Sequence, residues 1–361
     1  MSACKPEYMK NLVDRLRREK HLESEEYLRL LMSVNEDLLK YINTSAREVA
    51  VERFGKAIYA RGLIEITNYC RNNCYYCGIR CGNATLERYR LSIEQILDCC
   101  ETGSKLGLKT FVLQGGEDPL MNEDFITELV TVIRSHFPDH AITLSLGEHS
   151  EKAYKRFFAA GANRYLLRHE TANPAHYASL HPAKMSHQKR MDCLWTLKET
   201  GYQTGAGFMV GSPGQRLEHL VEDILFLQKL RPEMIGIGPF IPQKETSFAS
   251  EPAGSVEMTL MLISILRLVF PDALLPATTA LATLTHGYEQ GILAGANVVM
   301  PNLTPKGYRE KYAIYDNKKA ARMELEKEYK ELNEQVNSIG YYISDAHGDY
   351  KSEAAQQLPS F

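Results

Sequence analysis

From residue 58 onward, short apolar or β-branched runs recur, and each is followed by a stretch with helical spacing. The runs are IYARGLIEIT (58–67), TFVLQGG (110–116), AITLSLG (141–147), RYLLRHE (164–170), TGAGFMVG (204–211), MIGIGPFI (234–241), LLPATTA (274–280) and ANVVMPN (296–302). The segments between them carry one apolar face. Ser92 and Gln95 form a capping-box pattern before Ile93, Ile96, Leu97 and Cys100, and Leu217, Leu220, Val221, Ile224 and Leu227 share a helical stripe. Eight β-then-α units predict an α/β fold, a (β/α)8 TIM-type barrel, whose chemistry sits at the C-terminal ends of the strands. A doubly wound sheet is the competing α/β architecture.

The flanks read as helical. Residues 7–43 have helical spacing, with Ser24 ahead of Glu25 and Glu26 as an expected cap and acidic first turn. The tail MELEKEYKELNEQVNSIG reads as a charged helix before a polar end with few anchors. The expected division is an N-terminal helical extension over 1–54, a barrel over 55–315, and a C-terminal helix and tail over 316–361.

Side chains alternate faces along a strand, so parity predicts what lines the lumen. Thr143 and Ser145 share one face, as do Leu166, Arg168 and Glu170, then Gly205, Gly207 and Met209, then Gly236 and Gly238. If the apolar face meets the helices, the lumen is lined by Thr, Ser, Arg, Glu and Gly. Bulky branched residues usually fill a barrel. This one is expected to be hollow and polar toward one end, although glycine and serine at such positions also serve tight packing and bends.

Composition narrows the partners. A net charge of −3 over 361 residues leaves no basic footprint for nucleic acid. No run approaches the roughly 18 consecutive apolar residues of a membrane span, and the opening MSACKPEYMKNLVDRLRREK has no apolar signal core. Eight cysteines are too few for a disulfide scaffold, and four are bunched, which favours metal or catalysis in a reducing compartment. The expectation is a cytoplasmic protein.

The bunched cysteines are Cys70, Cys74, Cys77 and Cys81, in TNYCRNNCYYCGIRCGN. Their spacing suits a structural four-thiolate zinc site, and it equally suits an iron–sulfur cluster. Position favours the cluster, because the segment begins at the C-terminal end of the first strand.

CRNNCYYC resembles the CxxxCxxC signature of the radical S-adenosylmethionine (SAM) enzymes, with Tyr76 as the aromatic before the third cysteine. The resemblance implies that Cys70, Cys74 and Cys77 hold a [4Fe–4S] cluster with one iron left open. The amino and carboxylate groups of SAM chelate that iron. An electron then splits the sulfonium into methionine and a 5′-deoxyadenosyl radical. Cys81 would be a spectator, since a fourth thiolate would close the open iron. LQGGEDP resembles the family's glycine-rich segment, which implies that Gly115, Gly116 and Glu117 approach the methionine amino group. By the same resemblance Glu170 contacts the amino group, Arg190 the carboxylate, and Ser145 is a polar contact on the third strand. A charged hydrogen bond of this kind contributes on the order of 1.5–3 kcal/mol when shielded from water. An internal salt bridge between Glu170 and Arg190 is the bland alternative.

Within that superfamily, LIEITNYCRNNCYYCGIRCGN, YLLRHETANP, TGAGFMVGSPGQ, IGIGPFIP and ANVVMPNLTP are similar to the HydE family of [FeFe]-hydrogenase maturases, related to biotin synthase and the methylornithine synthase PylB. The resemblance implies an organometallic substrate, a cysteine-bound iron complex carrying carbon monoxide and cyanide, and a step in hydrogenase cofactor assembly. It also implies an electron donor for the cluster and HydG and HydF maturases as partners. Such a compact anion favours fixed positive charge and small donors. Arg168, Thr143, Thr278 and Thr279 are the expected substrate contacts, with Tyr308 and Tyr312 as lid or wall. His176 and His181 are left out as solvated loop residues. No cysteine follows Cys193, so the second cluster of some HydE proteins has no ligands here. A PylB-like amino-acid radical mutase and a non-catalytic four-cysteine zinc protein are the alternatives.

Overall fold

The structure, a computed structural model, describes residues 6–283, 286–316 and 325–351. Its strands are β1 (Ala57–Ala60), β2 (Gly62–Thr67), β3 (Thr110–Gly115), β4 (Ala141–Ser145), β5 (Arg164–Leu166), β6 (Gln203–Ala206), β7 (Met209–Val210), β8 (Met234–Ile235), β9 (Gly238–Pro239), β10 (Val298–Val299) and β11 (Tyr342–Ser344). A parallel sheet runs β2-β3-β4-β5-β6-β8, and β7 pairs with β9 at its upper rim. Parallel bridges close it: Met234 to Leu274, Pro276 to Val298, and Leu63 to Asn302. All eight apolar runs are therefore staves of one barrel, and the doubly wound alternative is excluded.

The staves alternate as parity requires. Ile64, Ile66, Phe111, Leu113, Ile142, Leu144, Tyr165 and Leu167 are buried against the surrounding helices, each side chain stabilising by roughly 1.5–3 kcal/mol. The helix Ile93–Lys105 opens on the expected capping box: Ser92 Oγ accepts from Gln95 N at 3.3 Å, and Gln95 Oε1 accepts from Ser92 N at 2.9 Å. The helix Val256–Val269 is buried from Thr259 to Val269. It is apolar all round because the barrel covers one side and the N-terminal helix Glu36–Phe54 the other.

Two flanking expectations change. The helix Ser24–Met32 is capped by Glu23, not Ser24; Glu23 N donates to Glu26 Oε2 at 3.0 Å, and Glu26 also meets Arg15. The described part of the tail is also anchored, while residues 352–361 of the expected polar end lie outside the described residues. Met323 and Glu324, which open the expected helix, lie outside the described residues. The helix Leu325–Ser338 buries Leu332 and Val336, and β11 joins the sheet beside β1. Beyond it, residues 347–349 cross the bottom of the barrel. There Arg164, fully buried, donates to Asp349 Oδ1 at 2.5 Å and to the carbonyls of His347 and Gly348.

Candidate active site

A cavity of about 330 Å³ occupies the barrel from the cysteine loop down to Arg61. Cys70, Cys74 and Cys77 border its upper end, while Cys81 is exposed. The loop has no regular structure, so side chains hold its shape. Arg88 donates to the carbonyls of Asn68, Ile79, Arg80 and Asn83 at 2.6–3.1 Å. Asn68 ties the loop to Glu87, Tyr89 and Lys311. At Gly116 a Cβ would lie 2.2 Å from Tyr69 O and 2.6 Å from Cys70 Cβ, so only glycine lets the end of β3 pass beneath the loop.

Three of the four thiols share the cavity rim and the fourth does not, the arrangement that three cluster ligands and a spectator would have. A four-thiolate zinc site needs its sulfurs about 2.3 Å from one point. The described residues bring no three Cys, His, Asp or Glu groups together in that way. Burial pushes the Cys70 and Cys74 thiols up and Cys77 to about 12, with neighbouring thiols adding to the effect. Thiolates at this spot call for a bound cation to offset their charge.

Tyr76 is partly buried beside the cysteines. Its partner is His181, which sequence reasoning set aside as solvated; it is 2% exposed. His181 Nδ1 lies 2.9 Å from the Tyr177 carbonyl and so carries the proton. Tyr76 O–H then donates to Nε2 at 3.1 Å. Burial lowers the His181 pKa to about 4.

The structure brings most of the expected side chains to this cavity: Gly115, Gly116, Glu117, Thr143, Ser145, Arg168, Glu170, Arg190, Thr278, Thr279 and Tyr312 all border it. Tyr308 does not. Its ring packs at a tilt against Tyr89, with centroids 5.0 Å apart, and it accepts from Gln95 of the helix Ile93–Lys105, outside the lumen, so its expected place in the substrate wall is corrected to barrel packing. Glu117 has both oxygens engaged, Oε2 with Arg71 at 2.8 Å and Oε1 with Glu148 N at 3.0 Å. Its carboxylate therefore shapes the loop, leaving the segment's backbone to face a ligand.

The bland pairing of Glu170 with Arg190 is also corrected. Arg190 Nε donates to Glu148 Oε1 at 2.7 Å and Nη1 to Arg168 O at 2.8 Å. Glu148 follows the TLSLG run and was missed; its place directly after that run, three residues past the end of β4, was the available signal. Arg168 Nη2 lies 3.0 Å from Glu170 Oε2, an ion pair by distance whose angle makes no hydrogen bond. Arg168 Nε, Thr143 Oγ1 and Thr278 Oγ1 are likewise buried without a hydrogen-bond partner. Thr279 Oγ1 accepts from Tyr315, a second wall residue that sequence reasoning missed. Buried polar atoms are normally paired, so this group of orphaned atoms around one cavity fits a polar ligand. The cysteine rim above them fits the cluster.

The profile described as the radical SAM superfamily matches residues 64–227. The chain is 45% identical to the [FeFe] hydrogenase maturase subunit HydE of Thermotoga maritima, over 79% of this chain and 80% of that one. It is 30% identical to the 3-methylornithine synthase of Methanosarcina acetivorans, over 81% of this chain and 83% of that one. The crystal structure of methylornithine synthase (PylB) superposes with a TM-score of 0.81 at 26% identity, covering 92% of this chain and 97% of that one. No helix among the described residues is long and apolar enough to cross a membrane. The chain is an enzyme of the radical SAM superfamily, which works with a [4Fe–4S] cluster and SAM, and it belongs to the group that contains HydE and 3-methylornithine synthase.

Proposed function

We propose that this enzyme acts on a cysteine-bound iron complex carrying carbon monoxide and cyanide, as a HydE-type step in assembling the di-iron part of the [FeFe]-hydrogenase cofactor. When bound, the cluster and SAM supply an electron and a sulfonium whose cleavage yields methionine and a 5′-deoxyadenosyl radical. The chain's own residues do the rest. Cys70, Cys74 and Cys77 hold the cluster at the rim. Glu170, Arg190, Ser145 and the Gly115–Gly116 backbone orient SAM beneath it. Arg168, Thr143 and Thr278 hold the substrate below, with Thr279, Tyr312 and Tyr315 as wall.

One observation carries this reading: a guanidinium nitrogen and two threonine hydroxyls are buried around the lumen with nothing in the protein to bond. Carbonyl, cyanide and carboxylate groups are acceptors, and the complex is anionic, so the Arg168 guanidinium, partly buried in the lumen, offsets its charge. The likeness to HydE supports the same substrate class. A HydG-type maturase would supply the complex and a HydF-type maturase receive the product.

A methylornithine-synthase-like mutase is the second reading, because Arg168 and Glu170 side by side offer partners for a carboxylate and an ammonium. Reduced, cluster-loaded enzyme separates the two. The proposal expects SAM cleavage to accelerate with the iron–cysteine complex and not with lysine; acceleration by lysine alone overturns it. Arg168→Met is expected to spare slow cleavage without substrate and to reduce turnover of the iron complex about tenfold or more, the scale of one charge-assisted contact.

A further inference from the structure

Glu170 is one of few non-glycine residues with positive φ, at 66°. For such a residue this conformation costs on the order of 1–3 kcal/mol and persists only where its surroundings impose it. The backbone around it is tied on both sides. Glu170 N donates to Gly207 O at 3.1 Å, and Met209 N donates to Glu170 O at 3.4 Å. Gly207 packs so closely on the neighbouring stave that a Cβ there would lie 1.9 Å from Gly236 O.

A buried polar pair supplies the remaining ties. Gly207 N–H donates to His169 Nδ1 at 3.3 Å, so the His169 proton sits on Nε2. That nitrogen is 3.2 Å from Asp223 Oδ1, and the same oxygen accepts from Ala172 N at 2.5 Å. One carboxylate oxygen, on the helix Leu217–Leu230 outside the lumen, thus grips the chain on both sides of Glu170. Both His169 and Asp223 are 0% exposed. Burial lowers His169 to about 3 and raises Asp223. His169 lies between Phe208 and Phe226, with ring centroids at 5.8 and 4.9 Å, so an apolar residue would satisfy packing alone. Keeping two polar groups in such a place is costly. Their geometry answers to the strained residue between them.

We infer that Asp223, acting through His169 and the Ala172 N–H, is a positioning residue that holds Glu170 in its left-handed conformation with the carboxylate aimed at the SAM subsite. The inference rests on the reading of Glu170 as a SAM contact. It assigns Asp223 no contact with ligand.

The test measures SAM binding to cluster-loaded protein by equilibrium dialysis and by the SAM-dependent change in the EPR signal of the reduced cluster. Iron content and Tm are recorded alongside. Asp223→Ala is expected to weaken SAM binding about tenfold, the effect of one displaced charge-assisted hydrogen bond, while iron content and cleavage at saturating SAM stay near the parent values. Asp223→Asn, whose amide oxygen still accepts from both donors, is expected to restore most of the affinity. Parent-like affinity in Asp223→Ala, or equal losses in the two variants, overturns the inference. If Asp223→Ala does not fold, His169→Phe, which fits between the two phenylalanines, is expected to show the same loss, and parent-like affinity in it overturns the inference. Glu170→Ala isolates the underlying reading: should it bind SAM normally, the placement of Glu170 in the subsite is what fails.

Discussion

Arg190 is held by Glu148, Nε to Oε1 at 2.7 Å, with Lys189 Nζ on the other carboxylate oxygen at 3.3 Å. Both side chains of the Arg190–Glu148 pair are at most 10% exposed. Removing one partner of a buried pair leaves an uncompensated charge, which costs about 3–5 kcal/mol. Glu148→Ala is therefore expected to lower unfolding free energy by that order and to weaken SAM binding, because Arg190 loses its anchor. Glu148→Gln keeps one acceptor and should lose less of both. Urea denaturation and SAM titration check the two effects separately.

The cysteines separate by position. Cys70, Cys74 and Cys77 border the cavity, whereas Cys81 is exposed and its segment is fixed through its own backbone, with Cys81 N donating to Asn72 O at 2.8 Å. Cys81→Ala is expected to retain about four irons per chain after anaerobic reconstitution, and to cleave SAM. Cys77→Ala should retain neither. Iron analysis and the visible charge-transfer band give the result, and loss of the cluster in Cys81→Ala would overturn the ligand assignment.

What was legible in the chain was periodic. The eight staves, the Ser92 capping box and the lumen parity of Thr143, Ser145, Arg168 and Glu170 all follow from repeats of 2 or 3.6 residues, which local sequence carries. Pairings across long separations were not legible. Nothing near Arg190 in the sequence says that Glu148, and not Glu170, will hold it, nor that Tyr308 turns outward to Tyr89. His181 read as a loop residue because its burial depends on Tyr76 and Tyr177 closing around it. The tail reads as polar and weakly anchored because its anchor, Arg164, lies 185 residues away on a strand.

That anchor yields a stability prediction independent of catalysis. The Arg164 side chain is 0% exposed, and the one carboxylate within reach among the described residues is Asp349, whose side chain is 46% exposed. Burial alone lowers the Arg164 pKa, and the Asp349 contact opposes that shift. Asp349→Ala should destabilise the fold by about 1–3 kcal/mol, less than a fully buried pair would, since water partly screens the carboxylate. SAM affinity should be unchanged, because the strap lies at the opposite end of the barrel from the cysteines. Denaturant midpoints with parallel SAM binding decide this, and an unchanged midpoint would show that the strap's backbone contacts suffice.

Acid sensitivity should come from buried histidines. Burial lowers His169 to about 3, and His176 and His181 to about 4, from an ordinary 6.5. A base whose folded pKa is depressed favours the native state above its unfolded pKa and loses that contribution as pH falls through the gap. Stability is therefore expected to be flat above about pH 7 and to decline progressively from about pH 6.5 toward 4, with His181 alone contributing about 3 kcal/mol of the loss by pH 4. Protonation of His181 Nε2 in the folded protein, which begins only as pH approaches 4, also removes the acceptor for Tyr76 O–H, so the cysteine loop should loosen there. Urea unfolding at pH 7.5, 6.5, 5.5 and 4.5 measures the slope. His181→Phe, which cannot charge, should make that slope shallower, and an identical slope in the variant would assign the acid sensitivity to other groups.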